Sequence, residues 1–365
     1  MRTLVVSDLH LGSRPGHDVL RLPAARERLL VALDETDRLV LLGDTLELMT
    51  RNTRRTAAIA EPVIREVGRR LGPDREVIVV PGNHDAPLTR AWVIAQDREL
   101  VPSAAVDPRA SPALEALLSW LAPARTRVSY PGVWLGQGVW ATHGHYLDRY
   151  LIPESAFGLL RPSGRRSRAA AATATARPSD YERGRHGRRP RLGRGRESLG
   201  SRLMSRPVAT VLESGAELIR VATMPHVPRL MMSTGMSPVT ARMIDTQMRH
   251  AAIPAMAGVV RRLGIDADHV IFGHVHRRGP LLGEPWPDRD GVRFLNTGSW
   301  VYEQLLIDRA TPPHPYWPGG AVVLEDGRPP RSIGLLDDLS GEQLRPPAGM
   351  GLGGDAAPGA GVSAG

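Results

Sequence analysis

The chain contains no cysteine in 365 residues. Disulfides are therefore excluded, and so is any thiolate metal site; a bound cation must use imidazole, carboxylate or amide donors. Lysine is missing too, so all 47 basic residues are arginine, a bias we read as GC-rich coding rather than function. No run of about 18 apolar residues occurs, which argues against a transmembrane segment. The opening run Met1–Val6 is too short for the apolar core of a signal peptide and leads at once into Asp8. It predicts a strand, and with it a cytoplasmic location. No internal repeat is visible.

What is present fits a globular protein, with 42% hydrophobic residues and a length that can bury one large core with an insertion. The net charge of +9 resembles a nucleic-acid footprint until it is located. Thirteen arginines against three acidic residues lie between Arg161 and Arg202. That segment carries +10, which leaves −1 for the rest of the chain. The basicity belongs to one stretch, not to the whole surface.

Short apolar runs at Thr3–Val6, Leu39–Leu42 and Val77–Val80 read as buried strands, each ending in a polar turn. Helical stretches lie between them, at Ala24–Leu33 and from Ile59 to Leu71, the second stopping at Gly72-Pro73 and left open at its start by Pro62. This alternation predicts an α/β architecture with its site at the carboxyl ends of the strands. A helix is expected near Ala113–Leu121. Strands are expected around Val133–Leu135, Val139–Thr142, His269–Phe272, Val292–Leu295, Ala321–Leu324 and Arg331–Leu335, as a second, more antiparallel half. Residues 1–150 and 264–340 thus form the predicted catalytic domain. Residues 151–202, rich in Arg, Gly, Ala and Pro, predict a disordered loop. Residues 203–263, which hold eight of the eleven methionines, predict a helical insertion or cap, with helices such as Val208–Ile219 and Val239–Ala251. The Gly/Ala/Pro-rich tail, 346–365, is expected to be unstructured.

The strand ends carry the chemistry. Asp8-Leu9-His10 follows the first strand, Gly43-Asp44-Thr45-Leu46-Glu47 the second, and Gly82-Asn83-His84-Asp85 the third. Each alone reads equally well as a turn. Thr142-His143-Gly144-His145 and Gly273-His274-Val275-His276 end two further strands, and alternating histidines between glycines can send imidazoles toward neighbouring cations. Five strand ends that each deliver Asp, Asn or His make coincidence a poor account.

In this order the motifs resemble the signature of the calcineurin-like metallophosphoesterases, over roughly Met1–Val301. The resemblance implies a layered α/β fold of sheets flanked by helices, and two divalent metal ions (Mn, Fe, Zn or Co) that activate a bridging water against phosphorus. Carried over by motif, one metal takes Asp8, His10 and His276. Asp44 bridges, and Asn83, His143 and His274 hold the second metal. His84 becomes the catalytic candidate that stabilises the transition state or protonates the leaving oxygen, oriented by Glu47 or Asp85. His145 keeps two readings, a phosphate contact or a supporting hydrogen bond.

Departures narrow the subfamily. His10 and Glu47 stand where purple acid phosphatases have glycine and tyrosine. Glu47-Leu48-Met49 stands where phosphoprotein phosphatases have Asp-Arg-Gly. The run Ser7-Asp8-Leu9-His10-Leu11-Gly12 looks like the UDP-2,3-diacylglucosamine pyrophosphohydrolases, although those typically carry arginine where His84 stands. The expected activity is hydrolysis of a phosphoester or pyrophosphate bond in a phosphorylated small molecule or lipid-linked phosphate, with peripheral membrane contact through the insertion as one option. A nuclease or cyclic-nucleotide phosphodiesterase is the alternative, and it would want a basic groove for nucleic acid. A non-catalytic scaffold on this fold, the third reading, would be expected to lack a ligand or the histidine at 84.

Overall fold

A computed structural model of the chain describes all residues except 14–16, 51, 137, 151–174, 187–236, 286–287, 308 and 346–365. Seven strands build a first sheet: β1 (Arg2–Val6), β2 (Arg38–Leu41), β3 (Glu76–Val79), β4 (Ala104–Ala105), β5 (Arg125–Tyr130), β11 (Gly320–Glu325) and β12 (Arg331–Gly334). Their spatial order is β12-β11-β1-β2-β3-β5-β4. The second sheet holds β6 (Gly132–Gly136), β7 (Val139–Thr142), β8 (His269–Phe272), β9 (Arg278–Gly279) and β10 (Arg293–Thr297), in the order β6-β7-β8-β10-β9. The inner strands are parallel in both sheets: β1, β2, β3 and β5 in one, β7, β8 and β10 in the other.

Side-chain alternation stacks the sheets face to face. Val5, Val40, Ile78 and Val322 share one side of the first sheet and pack with Val133, Leu135, Ala141, Ile271 and Leu295 of the second. The alternate residues, such as Leu4, Leu39 and Val77, face outward into the helix-covered layer. Burial on both sides explains why these strands read as unbroken apolar runs. Each such side chain contributes roughly 1.5–3 kcal/mol relative to exposure.

Helices α1 (Pro23–Asp34), α2 (Thr53–Leu71), α3 (Arg90–Gln96) and α4 (Pro112–Trp120) belong to the first half of the chain. Helix α2 begins six residues before its predicted start at Ile59, because the Asn52 side chain caps it by accepting from Arg55 N (3.0 Å). Its stripe of Thr56, Ala60, Val63, Ile64, Val67 and Leu71 is buried, whereas Pro62 sits on the exposed face.

Two expectations are corrected. The later strands do not stand together as a second half: β11 and β12 join the first sheet beside β1, antiparallel as expected, whereas β8 and β10 extend a parallel core with β7. Apolar patterning records that a strand is buried, not which strand lies next to it. The stretch predicted to be a disordered loop contains helix α5 (Pro178–His186), whose Tyr181 and Glu182 are buried; the remainder of that loop lies outside the described residues. Of the expected insertion helices, Val239–Ala251 falls within the long helix α6 (Ser237–Leu263), while Val208–Ile219 and the tail lie outside the described residues. The carboxyl half of α6, through Ile253, Met256, Val259 and Val260, enters the same core as the sheets, so the folded domain reaches back before residue 264.

Candidate metal centre

The five motif loops follow β1, β2, β3, β7 and β8, all at carboxyl ends of parallel strands, and meet at one edge of the sheet stack. Backbone hydrogen bonds zip them together. Asp8 N donates to Gly43 O (3.0 Å), His10 N to Asp44 O (2.8 Å), Leu48 N to His84 O (3.1 Å) and Gly273 N to His143 O (2.9 Å). Close approach demands glycine here: a Cβ on Gly43 would enter the His143 ring, and one on Gly273 would strike Ser7 and the Asp8 carboxylate.

The loops are also strained. Asp8, His10, Asp44, His274 and His276 have φ of 55°, 44°, 51°, 70° and 56°, in the left-handed region that non-glycine residues rarely adopt. Only Asp97, Asp290 and Arg309 share this among the other described non-glycine residues. Such backbone costs on the order of 1–3 kcal/mol per residue and gathers at functional sites. Here it turns consecutive motif side chains toward a common point.

Three groups of donor atoms result, each close enough to hold one cation: Asp8, His10 and His276; His10, Asp44 and His84; Asp44, His143 and His274. In the first, His276 Nε2 lies 3.2 Å from Asp8 Oδ1 and 3.2 Å from His10 Nε2. Asp8 Oδ2 accepts from Ser7 Oγ and from His274 N (3.0 Å), while Oδ1 is buried without a hydrogen bond. In the third, His143 donates from Nδ1 to Leu42 O (3.1 Å), which leaves Nε2 as the nitrogen with a lone pair. That Nε2 faces Asn83 Oδ1 at 3.0 Å and Asp44 Oδ2 at 3.2 Å. Lone pairs converging at this range repel one another unless a proton or a cation sits among them, so the donor set fits divalent ions bound through nitrogen and oxygen.

Asp44 stands between the groups. Its Oδ1 accepts from His84 N (2.8 Å), and its Oδ2 lies 3.7 Å from His10 Nε2 as well as 3.2 Å from His143. The electrostatics show how the protein copes with protons alone. Burial would raise the Asp8 carboxyl, yet the facing His276 and His143 hold it at about 2; Asp44 is likewise held well below its ordinary value, chiefly by His143. Burial would lower His143, but Asp44 and Asp8 lift it to about 9.

The two carboxylates offered as partners of His84 separate cleanly. Glu47 receives His84 Nδ1 at 2.9 Å from both oxygens, and also His10 Nδ1 at 3.3 Å. Asp85 instead accepts backbone amides, from Thr45 (2.9 Å) and from Gly82, and so ties the third loop to the second. Its burial beside Asp44 pushes it up to about 7. Of the two carboxylates offered for orienting His84, Glu47 contacts its ring and Asp85 joins the two loops beneath it. His145 is buried with its Nε2 3.4 Å from Tyr130 Oη and its ring beside His143. Near the end of β10, Asn296 donates from Nδ2 to Gly273 O (2.8 Å) and its Oδ1 accepts from Gly298 N (2.9 Å).

Two carboxylates at this edge were not singled out from sequence. Asp148 accepts from His274 Nε2 (2.8 Å), and Glu182 of α5 accepts from the hydroxyls of Tyr130 (2.5 Å) and Tyr146 (2.6 Å). The only hint of Asp148 was its place five residues after His143 in the same turn.

No curated protein matches the chain. The family model described as calcineurin-like phosphoesterase matches residues 1–164, a span that contains the first four motif loops. On this match, residues 1–164 are similar to the calcineurin-like phosphoesterase family.

Proposed function

We propose that the protein hydrolyses a phosphoester bond with two divalent cations held side by side. The observation that carries this reading is the position of Asp44 Oδ2, 3.2 Å from one histidine of the second group and 3.7 Å from one of the first. An anionic oxygen can serve two cations, whereas an imidazole nitrogen serves one. In this reading Asp8, His10 and His276 hold one ion, Asn83, His143 and His274 hold the other, and Asp44 is shared. Divalent ions so placed act as Lewis acids toward a phosphoryl oxygen and make water nucleophilic at neutral pH.

The chain's own residues supply orientation and protons. Hydrogen bonds from His10 Nδ1 to Glu47 and from His143 Nδ1 to Leu42 O fix both tautomers, so that each Nε2 turns into the cluster. His84 is held through Nδ1 by Glu47, whose negative charge favours the imidazolium. That state suits His84 to steady charge on the phosphoryl group and to pass a proton to the departing oxygen. Asp85 keeps the His84 loop against the Asp44 loop.

The test is metal-dependent turnover by the full chain. Chelator-treated protein is supplied with Mn²⁺, Zn²⁺ or Co²⁺ and offered p-nitrophenyl phosphate, bis(p-nitrophenyl) phosphate and a nucleotide-sugar pyrophosphate. Release of product that returns with metal, at about two ions per chain, is the expected result. Absence of metal-dependent release from all three substrates overturns the proposal.

A further inference from the structure

The turn that follows β7 carries a carboxylate outside the motif pattern. Asp148 lies in a 3-10 turn, His145–Arg149, and its Oδ1 is 2.8 Å from His274 Nε2. A carboxylate can only accept, so Nε2 carries the proton. The lone pair of His274 is then on Nδ1, which is buried and makes no hydrogen bond. His274 is fully buried and belongs to the donor group of Asp44 and His143, so Nδ1 is the atom it can offer there.

The turn itself is clamped from the insertion. Tyr146 stacks on Tyr181 of α5 at 4.6 Å with nearly parallel rings, and its hydroxyl donates to Glu182. Arg149 donates from Nη1 to Asp180 O (2.8 Å), and the Tyr150 and Tyr181 hydroxyls are 2.8 Å apart. A continuous set of contacts thus runs from α5 through the turn to His274.

We propose that Asp148 is a positioning residue for the second cation: it sets the tautomer and ring orientation of His274, and helix α5 holds Asp148 in place to do so. This inference rests on the two-cation reading above. A carboxylate behind a histidine ligand also raises the basicity of its other nitrogen, and losing such a partner typically weakens metal binding by about 10–100-fold.

The experiment is titration of Mn²⁺ into the chelator-treated full chain, by calorimetry and electron paramagnetic resonance. Wild type is expected to take two equivalents with the spectrum of a coupled pair. Asp148→Ala should bind one equivalent as wild type does and the other about 10–100-fold more weakly, with the six-line spectrum of an isolated ion at low loading. Asp148→Asn keeps an acceptor oxygen without the charge and should fall between the two, a graded rescue that general destabilisation does not produce. If Asp148→Ala does not fold, the asparagine variant decides alone: a weakened second equivalent supports the role and two unchanged affinities overturn it. Wild type that takes two equivalents, with both variants matching it, overturns the positioning role only. Wild type that takes fewer than two overturns the two-cation reading itself, and the inference falls with it.

Discussion

The two sheets bring different chemistry to the same edge. The first sheet's loops supply every oxygen donor, Asp8, Asp44 and Asn83, together with His10 and the pair Glu47 and His84. The second supplies imidazoles alone, His143, His274 and His276. The carboxylates within the donor groups thus come from one wall and most of the imidazoles from the other. On the two-cation reading proposed above, this difference assigns the shared carboxylate to the first wall and most of the imidazole ligands to the second. Asp44→Asn tests this most severely. It removes the one charge that lies within reach of both groups, so both cations should weaken and turnover should fall by about 10³-fold or more. Metal content and turnover left intact in that variant would break the comparison at its centre.

His84 comes from the first wall and, in the proposed reading, is not one of the ligands. His84→Asn should therefore retain both metals while losing about 10²–10⁴-fold in kcat, the usual range for a lost acid–base group. Metal analysis beside single-turnover rates checks this, and loss of metal in parallel with rate would move His84 among the ligands.

Protons offer a third way to separate the walls. In the metal-free protein His143 is lifted from 6.5 to about 9 by the carboxylates of the first wall, against the opposing effect of burial. A group raised in this way stabilises the fold fully below pH 6.5, and the contribution is lost as pH climbs through about 9. The amount at stake is on the order of 3 kcal/mol for a fully buried imidazole. Chelated protein should therefore lose thermal stability across that window. Mn²⁺-loaded protein, in which a cation takes the proton's place, should not. Melting curves with parallel pH dependence in the two forms would contradict it.

The two walls also differ in how much of them the sequence announced. Asp8, His10, Asp44, Asn83, His143, His274 and His276 were legible because each lies in a turn after an apolar run that reads as a buried strand, and the structure brings all of them to one edge. Asp148 and Glu182 were not, since their partners lie 126 and 36–52 residues away and no short motif links them. Helix α5 was hidden for a related reason. Its segment, Pro-Ser-Asp-Tyr-Glu-Arg-Gly-Arg-His, buries a tyrosine and a hydrogen-bonded glutamate rather than an apolar stripe, so composition reads it as loop. The sheet assignment of β11 was equally out of reach, because its residues Val322 and Val323 would be buried beside any neighbour.

The smallest expected effect separates two carboxylates that sequence could not tell apart. Glu47→Gln leaves a side chain of the same shape, but the amide no longer stabilises an imidazolium at His84 and fits the two nitrogens it now faces less well. A loss of about 10–100-fold in kcat is expected, with little change in melting temperature. Asp85→Asn acts in the opposite sense. Its carboxylate is already pushed to about 7 by burial beside Asp44, so the neutral amide costs little charge, but it can accept only one of the two backbone amides now held. The leftover N–H predicts a stability loss of roughly 1–3 kcal/mol, with kcat changed less than by Glu47→Gln. Paired measurements of melting and kcat decide the matter. If Asp85→Asn cost more rate than Glu47→Gln at equal metal content, the acid–base pair would have to be redrawn around Asp85.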